Sequence, residues 1–134
     1  MFGALDISTS ALVAQRVRAN TISANMANAN SIYNAEGEYE PYRRQIVVFA
    51  PGDTRTGNKD GVHVQKIMMD DSPLKMTYNP THPDADDQGY LAMPNVDSTI
   101  EQVNMLEASR AYEANITAAE ATKSIMQSSL RLLA

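Results

Sequence analysis

The residues with the greatest capacity for chemistry lie between positions 79 and 95. Asp84, Asp86 and Gln88 precede Gly89 with the spacing of the first six positions of a calcium loop, in which alternating oxygens wrap a hard cation and a glycine makes the sharp turn. The twelfth position, where a bidentate glutamate closes the coordination sphere, is Asn95, and prolines replace the flanking helices. The match fails, and a turn with solvated carboxylates is expected instead. His63 and His82 fall on an expected strand and beside a proline, without a spacing that brings two imidazoles to one helix face. The chain has no cysteine, which excludes disulfides, thiolate metal sites and cysteine nucleophiles. There is no G-x-S-x-G elbow, no glycine-rich phosphate loop and no pair of carboxylates in a recognisable catalytic frame. The expectation is a protein that is not an enzyme, with no catalytic residue, no cofactor and no metal.

Composition narrows the class. The 134 residues are 43% hydrophobic and 20% charged, values of ordinary folded proteins rather than disordered chains. The net charge of −5, with no Lys/Arg cluster, argues against a nucleic-acid reader, which needs a basic footprint. No apolar run is long enough to span a bilayer, so no membrane insertion is expected. The start, Met1-Phe2-Gly3-Ala4-Leu5-Asp6, has neither the basic nor the apolar region of a cleavable signal. By composition alone the chain reads as cytosolic.

The elements that must position these residues are marked by the breakers. All six prolines and five of the six glycines fall between Gly37 and Pro94, so the segments 4–36 and 95–134 contain neither. This is a helix–middle–helix layout, divided as an N-terminal helix over 1–33, a small β-rich unit over 34–95 and a C-terminal helix over 96–134. The expected fold class is mainly α with a small antiparallel β unit. Some thirty helical residues extend roughly 45–50 Å, against a radius of gyration of about 14 Å for a compact chain of this size. The molecule must therefore be elongated, or its helices must find their core in another chain.

The patterning of the flanks favours neighbours. Leu5, Leu12, Ala19 and Met26 recur every seven residues, with Ser8, Gln15, Ile22 and Ala29 on the intermediate rungs. The C-terminal flank carries two stripes. One runs through Ile100, Val103, Ala111, Ala114, Ala118, Ala121, Ile125 and Leu132; the other through Met105, Ala108, Tyr112, Ile116, Ala119, Met126, Leu130 and Leu133. A helix that is apolar on two faces is covered from more than one side. Ser98 and Glu101 have capping-box spacing at its start. Asn25 and Asn28 leave two readings open: fraying of the first helix, or a buried polar residue that fixes register between helices.

In the middle, residues 45–49 form a β-branched and aromatic run ahead of Pro51-Gly52, and residues 62–69, 74–78 and 89–93 are further strand candidates. Leu74, Met76 and Tyr78 are expected to bury one edge while Lys75 and Thr77 face outward. Residues 54–60 read as an exposed loop or hairpin tip. Across 34–95 ten Asp and Glu residues stand against six Lys and Arg.

Ser10-Ala11-Leu12, Ala14-Gln15-Arg16, Ile22 and Asn25-Met26-Ala27-Asn28 resemble the N-terminal signature of the bacterial flagellar axial proteins, the family of rod, hook and hook-associated subunits. The run Val103-Asn104-Met105-Leu106-Glu107-Ala108-Ser109-Arg110-Ala111-Tyr112-Glu113-Ala114-Asn115, continued by Thr122-Lys123-Ser124-Ile125-Met126, Leu130 and Leu132, is similar to their C-terminal signature. Ser72-Pro73-Leu74-Lys75-Met76-Thr77-Tyr78-Asn79-Pro80-Thr81-His82-Pro83-Asp84-Ala85 with Gly89-Tyr90 resembles a segment of the proximal-rod members. Distal-rod and hook members carry larger middle domains and a Thr-x-Gly-Tyr element, where this chain has Ser31-Ile32-Tyr33 leading to Pro41-Tyr42-Arg43.

The resemblance implies a structural subunit of a hollow rod that crosses the periplasm in the flagellar basal body, transmits torque and conducts exported subunits. Its terminal helices would pair as a coiled coil and polymerise through Leu5, Leu12, Ile22, Asn25, Met26, Asn28, Val103, Leu106, Arg110, Tyr112, Asn115, Ile125, Met126 and Leu130. Ser8, Gln15 and Asn25 would face other subunits or the lumen. A subunit-contact loop would use Pro73, Tyr78, Pro80, His82, Pro83, Asp84, Gly89 and Tyr90, with Asp84, Asp86 and Asp87 at its solvated or partner-facing tip. Implied partners are other rod subunits, further copies of the chain and the flagellar type III export apparatus. Export by that route would replace the missing signal. The rival reading is a secreted module that binds or acts on peptidoglycan and borrows axial helices for export and docking.

Overall fold

The computed structural model describes residues 2–54 and 57–134, with the side chain of Phe2 left aside. Helix α1 (Phe2–Ala27) is followed by strands β1 (Gln45–Asp53), β2 (Asn58–Met69), β3 (Lys75–Tyr78) and β4 (Tyr90–Met93), and then by helix α2 (Ser98–Leu133). The strands form two separate antiparallel hairpins, β1–β2 and β3–β4. In the first, Gln45 pairs with Met69 and Pro51 with Val62, with a register shift after Val48; in the second, Lys75 pairs with Met93 and Tyr78 with Tyr90. Residues 58–60, expected in a loop, already belong to β2; Arg55 and Thr56 of that expected loop lie outside the described residues.

The two helices pack antiparallel, as the coiled-coil expectation requires: Asn25 meets Glu101, and Arg18 meets Glu107 at 3.3 Å. At 1.5 Å per residue the 26-residue α1 and 36-residue α2 span about 39 and 54 Å. Continuing that register, the start of α1 lies level with Ser124. The last nine or so residues of α2 therefore project about 14 Å beyond it. Hairpin β1–β2 lies along α1 and away from α2. The contact is close at Gly61, whose φ of +93° excludes ordinary side chains and whose absent Cβ would stand 2.7 Å from the Ser10 hydroxyl. That hydroxyl accepts from the Val62 N–H (3.2 Å) and donates to the Ile7 carbonyl (2.7 Å).

The core is small and half polar. Ala14, Ile22, Ile32, Leu91, Val96 and Ala108 are its buried apolar residues, beside buried Ser8, Ser10, Thr21, Asn25, Asp53 and Glu101. Of the two α2 stripes, Met105, Ala108, Ile116, Ala119 and Met126 are buried or half-buried against α1. Ile100, Val103, Ile125 and Leu132 remain more than half exposed.

Two local expectations are corrected. The cap of α2 is Asp97, whose carboxylate accepts from the N–H groups of Thr99 (2.9 Å) and Ile100 (3.4 Å). One aspartate thus does the work of the expected Ser98–Glu101 box, and Glu101 turns inward. On β3 neither face is buried: Lys75, Met76, Thr77 and Tyr78 are all exposed, with Lys75 and Thr77 lining a groove of about 800 Å³ against the start of α2. A two-stranded sheet leaves room for solvent on both faces, so alternation cannot say which face is covered.

Candidate assembly site

The helices are held in place by a polar junction. Asn25, on the last turns of α1, is 1% exposed. Its amide NH₂ donates to the Gln45 carbonyl (2.9 Å) and its oxygen accepts from the Gln45 N–H (2.9 Å), so the side chain pairs with β1 as a neighbouring strand would. The same oxygen accepts from the Tyr42 hydroxyl (2.9 Å), and the NH₂ also reaches the Glu101 carboxylate (3.3 Å). Asn25 is therefore an intramolecular anchor, and the expectation that it faces a lumen or another subunit is overturned. Ser8 is likewise buried within the subunit. Asn28 acts locally, donating to the Ala24 carbonyl (2.8 Å) and accepting from the Ser31 hydroxyl (3.2 Å) where α1 ends.

Glu101 is fully buried and would be intolerable as a lone charge. Its partner is the Arg44 guanidinium, which also reaches Asp70 at 3.4 Å. Burial pulls the Arg44 pKa down, but the hydrogen bond to Glu101 and the further bond to Asp70 outweigh it and hold the guanidinium charged. Asp70 is held below the usual carboxylate range by the hydroxyl and N–H of Ser72 and by Arg44. Burial, with the charge of Glu101, pushes the Tyr42 hydroxyl up, so it remains a donor. Asn95 closes the ring, accepting from the Arg44 N–H (2.8 Å) and donating to the carbonyls of Asp70 (3.2 Å) and Ser72 (3.1 Å). The junction joins the end of α1, the start of α2 and the base of β1–β2. Arg44 was not among the residues singled out from the sequence, and Glu101 was read only as half of a capping box; a buried acid in a first helical turn looks like a cap until its distant partner is known.

The helical residues expected to serve polymerisation divide by face. Ile22 and Asn25 are buried; Leu5, Leu12, Met26, Asn28, Asn115 and Met126 are half-buried. Asn115 turns its amide to the Ala111 carbonyl of its own helix (2.7 Å). Val103 (53%), Leu106 (51%), Ile125 (60%) and Leu130 (66%) are exposed, with Arg110 and Tyr112 beside them.

The residues of the expected contact loop gather on hairpin β3–β4. Tyr78 and Tyr90 stack edge to face, ring centroids 5.4 Å apart. Gly89 is buried with φ +82°, and a Cβ there would stand 3.0 Å from both Pro80 and Tyr78. Pro73, Pro80 and Pro83 are exposed and His82 half-buried. At the tip Asp84 is half-buried, while Asp86 and Asp87 are exposed. Asp84 accepts from the Tyr33 hydroxyl (2.6 Å), a bond that raises the pKa of that hydroxyl. Asp86 accepts from the N–H groups of Gln88 (2.9 Å) and Tyr90 (2.8 Å). His82 Nδ1 accepts from the Asp84 N–H (3.1 Å), and His63 Nδ1 bonds the Gly52 carbonyl (2.8 Å). Among the described residues no three His, Asp or Glu side chains converge as a metal site, and no helix is long and apolar enough to cross a membrane.

Comparison with known proteins agrees with this arrangement. Residues 87–132 match the family model of the flagellar basal body rod FlgEFG protein C-terminal region, a stretch that runs from the second hairpin through nearly all of α2. The flagellar basal-body rod protein FlgC of Bacillus subtilis is 40% identical over 98% of this chain and 97% of its own. Its namesake from Salmonella typhimurium is 44% identical over 95% and 93%, and that of Borreliella burgdorferi 39% identical over 99% and 97%. Similarity of this extent takes in both helices and both hairpins, and places the chain in the family of the flagellar basal-body rod protein FlgC.

Proposed function

We propose that this flagellar basal-body rod protein is a structural subunit of the proximal rod, assembling through the outward faces of its terminal helices into the hollow shaft that transmits torque and conducts exported subunits. The observation that carries the reading is the exposed apolar surface of α2, made of its outer stripe and the uncovered end of the other. Ile100, Val103, Leu106, Ile125, Leu130, Leu132 and Leu133 are each at least half exposed on one helix, more apolar surface than a monomer leaves uncovered without purpose. Among the described regular elements only α1 packs on α2, and most of the projecting end is exposed. Repetition of such a surface from subunit to subunit gives a helical polymer when the contact is head-to-tail.

On this reading the division is 1–33 and 96–134 for assembly and 34–95 for a middle unit on the outside of the shaft. Val103, Leu106, Arg110, Tyr112, Ile125 and Leu130 make inter-subunit contacts, while Ile22 and Asn25 hold the subunit together. The segment 72–90 is a second contact, and the partners are other rod subunits and the flagellar type III export apparatus, acting in the periplasmic space. The role is mechanical rather than catalytic. The rival peptidoglycan-directed module has no observation in its favour, because the rod-protein relatives share the middle unit as well as the helices. The test is a flagellar strain whose only copy carries Val103→Gln with Ile125→Gln. It should export the subunit and build no rod; a motile strain with normal basal bodies would overturn the proposal.

A further inference from the structure

The chain has no tryptophan and six tyrosines, and four of the six meet on hairpin β3–β4. Tyr78 and Tyr90 stand opposite each other in the register and stack edge to face. Met76, two residues along β3, shares their face and is 53% exposed. Tyr39 donates its hydroxyl to the Ala92 carbonyl of β4 (2.8 Å), and Tyr33 packs edge-on against Tyr39 with centroids 6.4 Å apart while its hydroxyl holds Asp84. Tyr33 and Tyr39 are held by hydroxyl bonds and Tyr78 and Tyr90 by their mutual stacking, yet all four stay 36–65% exposed. Rings already locked lose little freedom on binding, and exposed tyrosine and methionine are the side chains that interfaces favour.

The surroundings choose the partner. The segments that carry Tyr33, Tyr39 and Tyr90, residues 31–42 and 79–95, hold Glu36, Glu38, Glu40, Asp84, Asp86 and Asp87 and no lysine or arginine; Lys75 of β3 lines the groove against α2 instead. Their potential repels phosphate, whether of lipid or nucleic acid, and a second copy of this chain would bring its own net charge of −5. A guanidinium or ammonium, by contrast, finds ring faces to stack on and carboxylates to pair with. We infer that the tyrosine face of β3–β4, with its acidic rim, is a docking surface for an arginine- or lysine-bearing surface of a different protein. The inference rests on the reading of segment 72–90 as a contact segment and supplies the chemistry of its partner.

The test titrates the full chain into fluorescein-labelled deca-arginine and follows anisotropy at low and moderate salt, with deca-glutamate as the control. Wild type should bind deca-arginine alone. Tyr78→Leu, which keeps apolar bulk and removes the ring, should weaken binding about fivefold, a loss of the size a cation–π contact contributes. Tyr78→Phe should bind as wild type does. Glu36→Gln with Asp87→Asn should weaken binding by a similar factor without touching a ring, so the test stands even where Tyr78→Leu loosens the hairpin. The same loss from Glu120→Gln on α2, or no loss from the tyrosine and rim variants, overturns the inference. So does a self-association in sedimentation that Tyr78→Leu abolishes, since a second copy is then the occupant. A Tyr78→Leu strain separates the two readings: failed rods with unchanged peptide binding leave the contact segment standing and sink its cationic partner, and normal rods and motility remove the contact segment itself.

Discussion

Helix α1 and helix α2 are built from similar residues and meet opposite fates within the subunit. α1 is flanked by α2 and by hairpin β1–β2, whereas α2 touches only α1 among the regular elements. The difference explains their surfaces. Four polar residues of α1, Ser8, Ser10, Thr21 and Asn25, are buried; the hydroxyls of Ser10 and Thr21 donate to carbonyls of α1 itself, and Ser10 and Asn25 also bond the first hairpin. α2 keeps Ile100, Val103, Leu106 and Ile125 outside and buries one charge, Glu101. One helix is thus committed to the fold and the other is divided between fold and assembly. Damage on the α1 side should appear as lost stability of the subunit; damage on the outer face of α2 should appear only when subunits meet.

The largest expected effect is at the junction that connects the two. Arg44→Leu leaves Glu101 without its guanidinium in a fully buried place, a change that costs about 3–5 kcal/mol. Urea unfolding of the full chain measures it. Adding Glu101→Leu should restore much of the loss, since two apolar residues do not leave an orphan charge. A single variant as stable as wild type would mean that the ion pair does not join α2 to the rest. Asn25→Ala comes next. It removes both hydrogen bonds to Gln45 and leaves that residue's part-buried N–H and carbonyl without their partner, for a loss of about 1–3 kcal/mol. Hydrogen exchange at the Gln45 amide should accelerate in step.

How much of this was legible beforehand depends on the reach of each signal. The helix–middle–helix order and the strands follow from the confinement of Gly and Pro and from β-branched runs, which are local signals. The two stripes on α2 were visible for the same reason, though not which of them α1 would cover. Asn25 could be recognised as out of place in a helix, but its pairing with Gln45 lies twenty positions away and no spacing rule spans that. Glu101 looked like half of a capping box because its partner Arg44 is 57 positions away. The unburied face of β3 has another cause: with Lys75, Met76, Thr77 and Tyr78 all exposed, the apolar alternation there does not mark a covered side. The loop glycine Gly89 was legible as a family feature, and its positive φ and the closeness of Pro80 and Tyr78 give the physical reason.

A smaller effect probes the other flank of α1. Gly61→Ala places a Cβ at 2.7 Å from the Ser10 hydroxyl at a φ of +93°, and strain of that kind costs of order 1–3 kcal/mol. Pairing it with Ser10→Ala relieves the clash but not the φ, so the double variant should recover only part of the loss. Full recovery would assign the whole cost to the contact between hairpin and helix. Acid should act more weakly still. Asp70 is held below its ordinary pKa by Ser72 and Arg44, so its stabilisation is complete above about pH 4 and fades as pH falls through the lowered folded value. Asp70→Asn should flatten that part of the pH–stability curve, and an unchanged curve would show that the carboxylate charge contributes nothing to the junction.

The smallest expected change in stability is on the outer face of α2, and it is the one that tests the division between the helices. Val103 and Ile125 are 53% and 60% exposed, and neither lies on the stripe that meets α1. Exposed substitutions away from packed contacts generally stay within about 0.5 kcal/mol, so Val103→Gln and Ile125→Gln should leave the urea midpoint of the isolated subunit where it was. Glutamine keeps helix propensity close to that of the other straight-chain residues, which removes secondary structure as a cause. The same two changes remove apolar area from any interface that covers this face, at about 25 cal/mol per Å², and the loss recurs at every subunit of a polymer. An unchanged midpoint with failed assembly therefore assigns this face to the interface between subunits. A lowered midpoint would instead mean that the stripe is covered within the subunit, and α2 would then be as fully committed to the fold as α1.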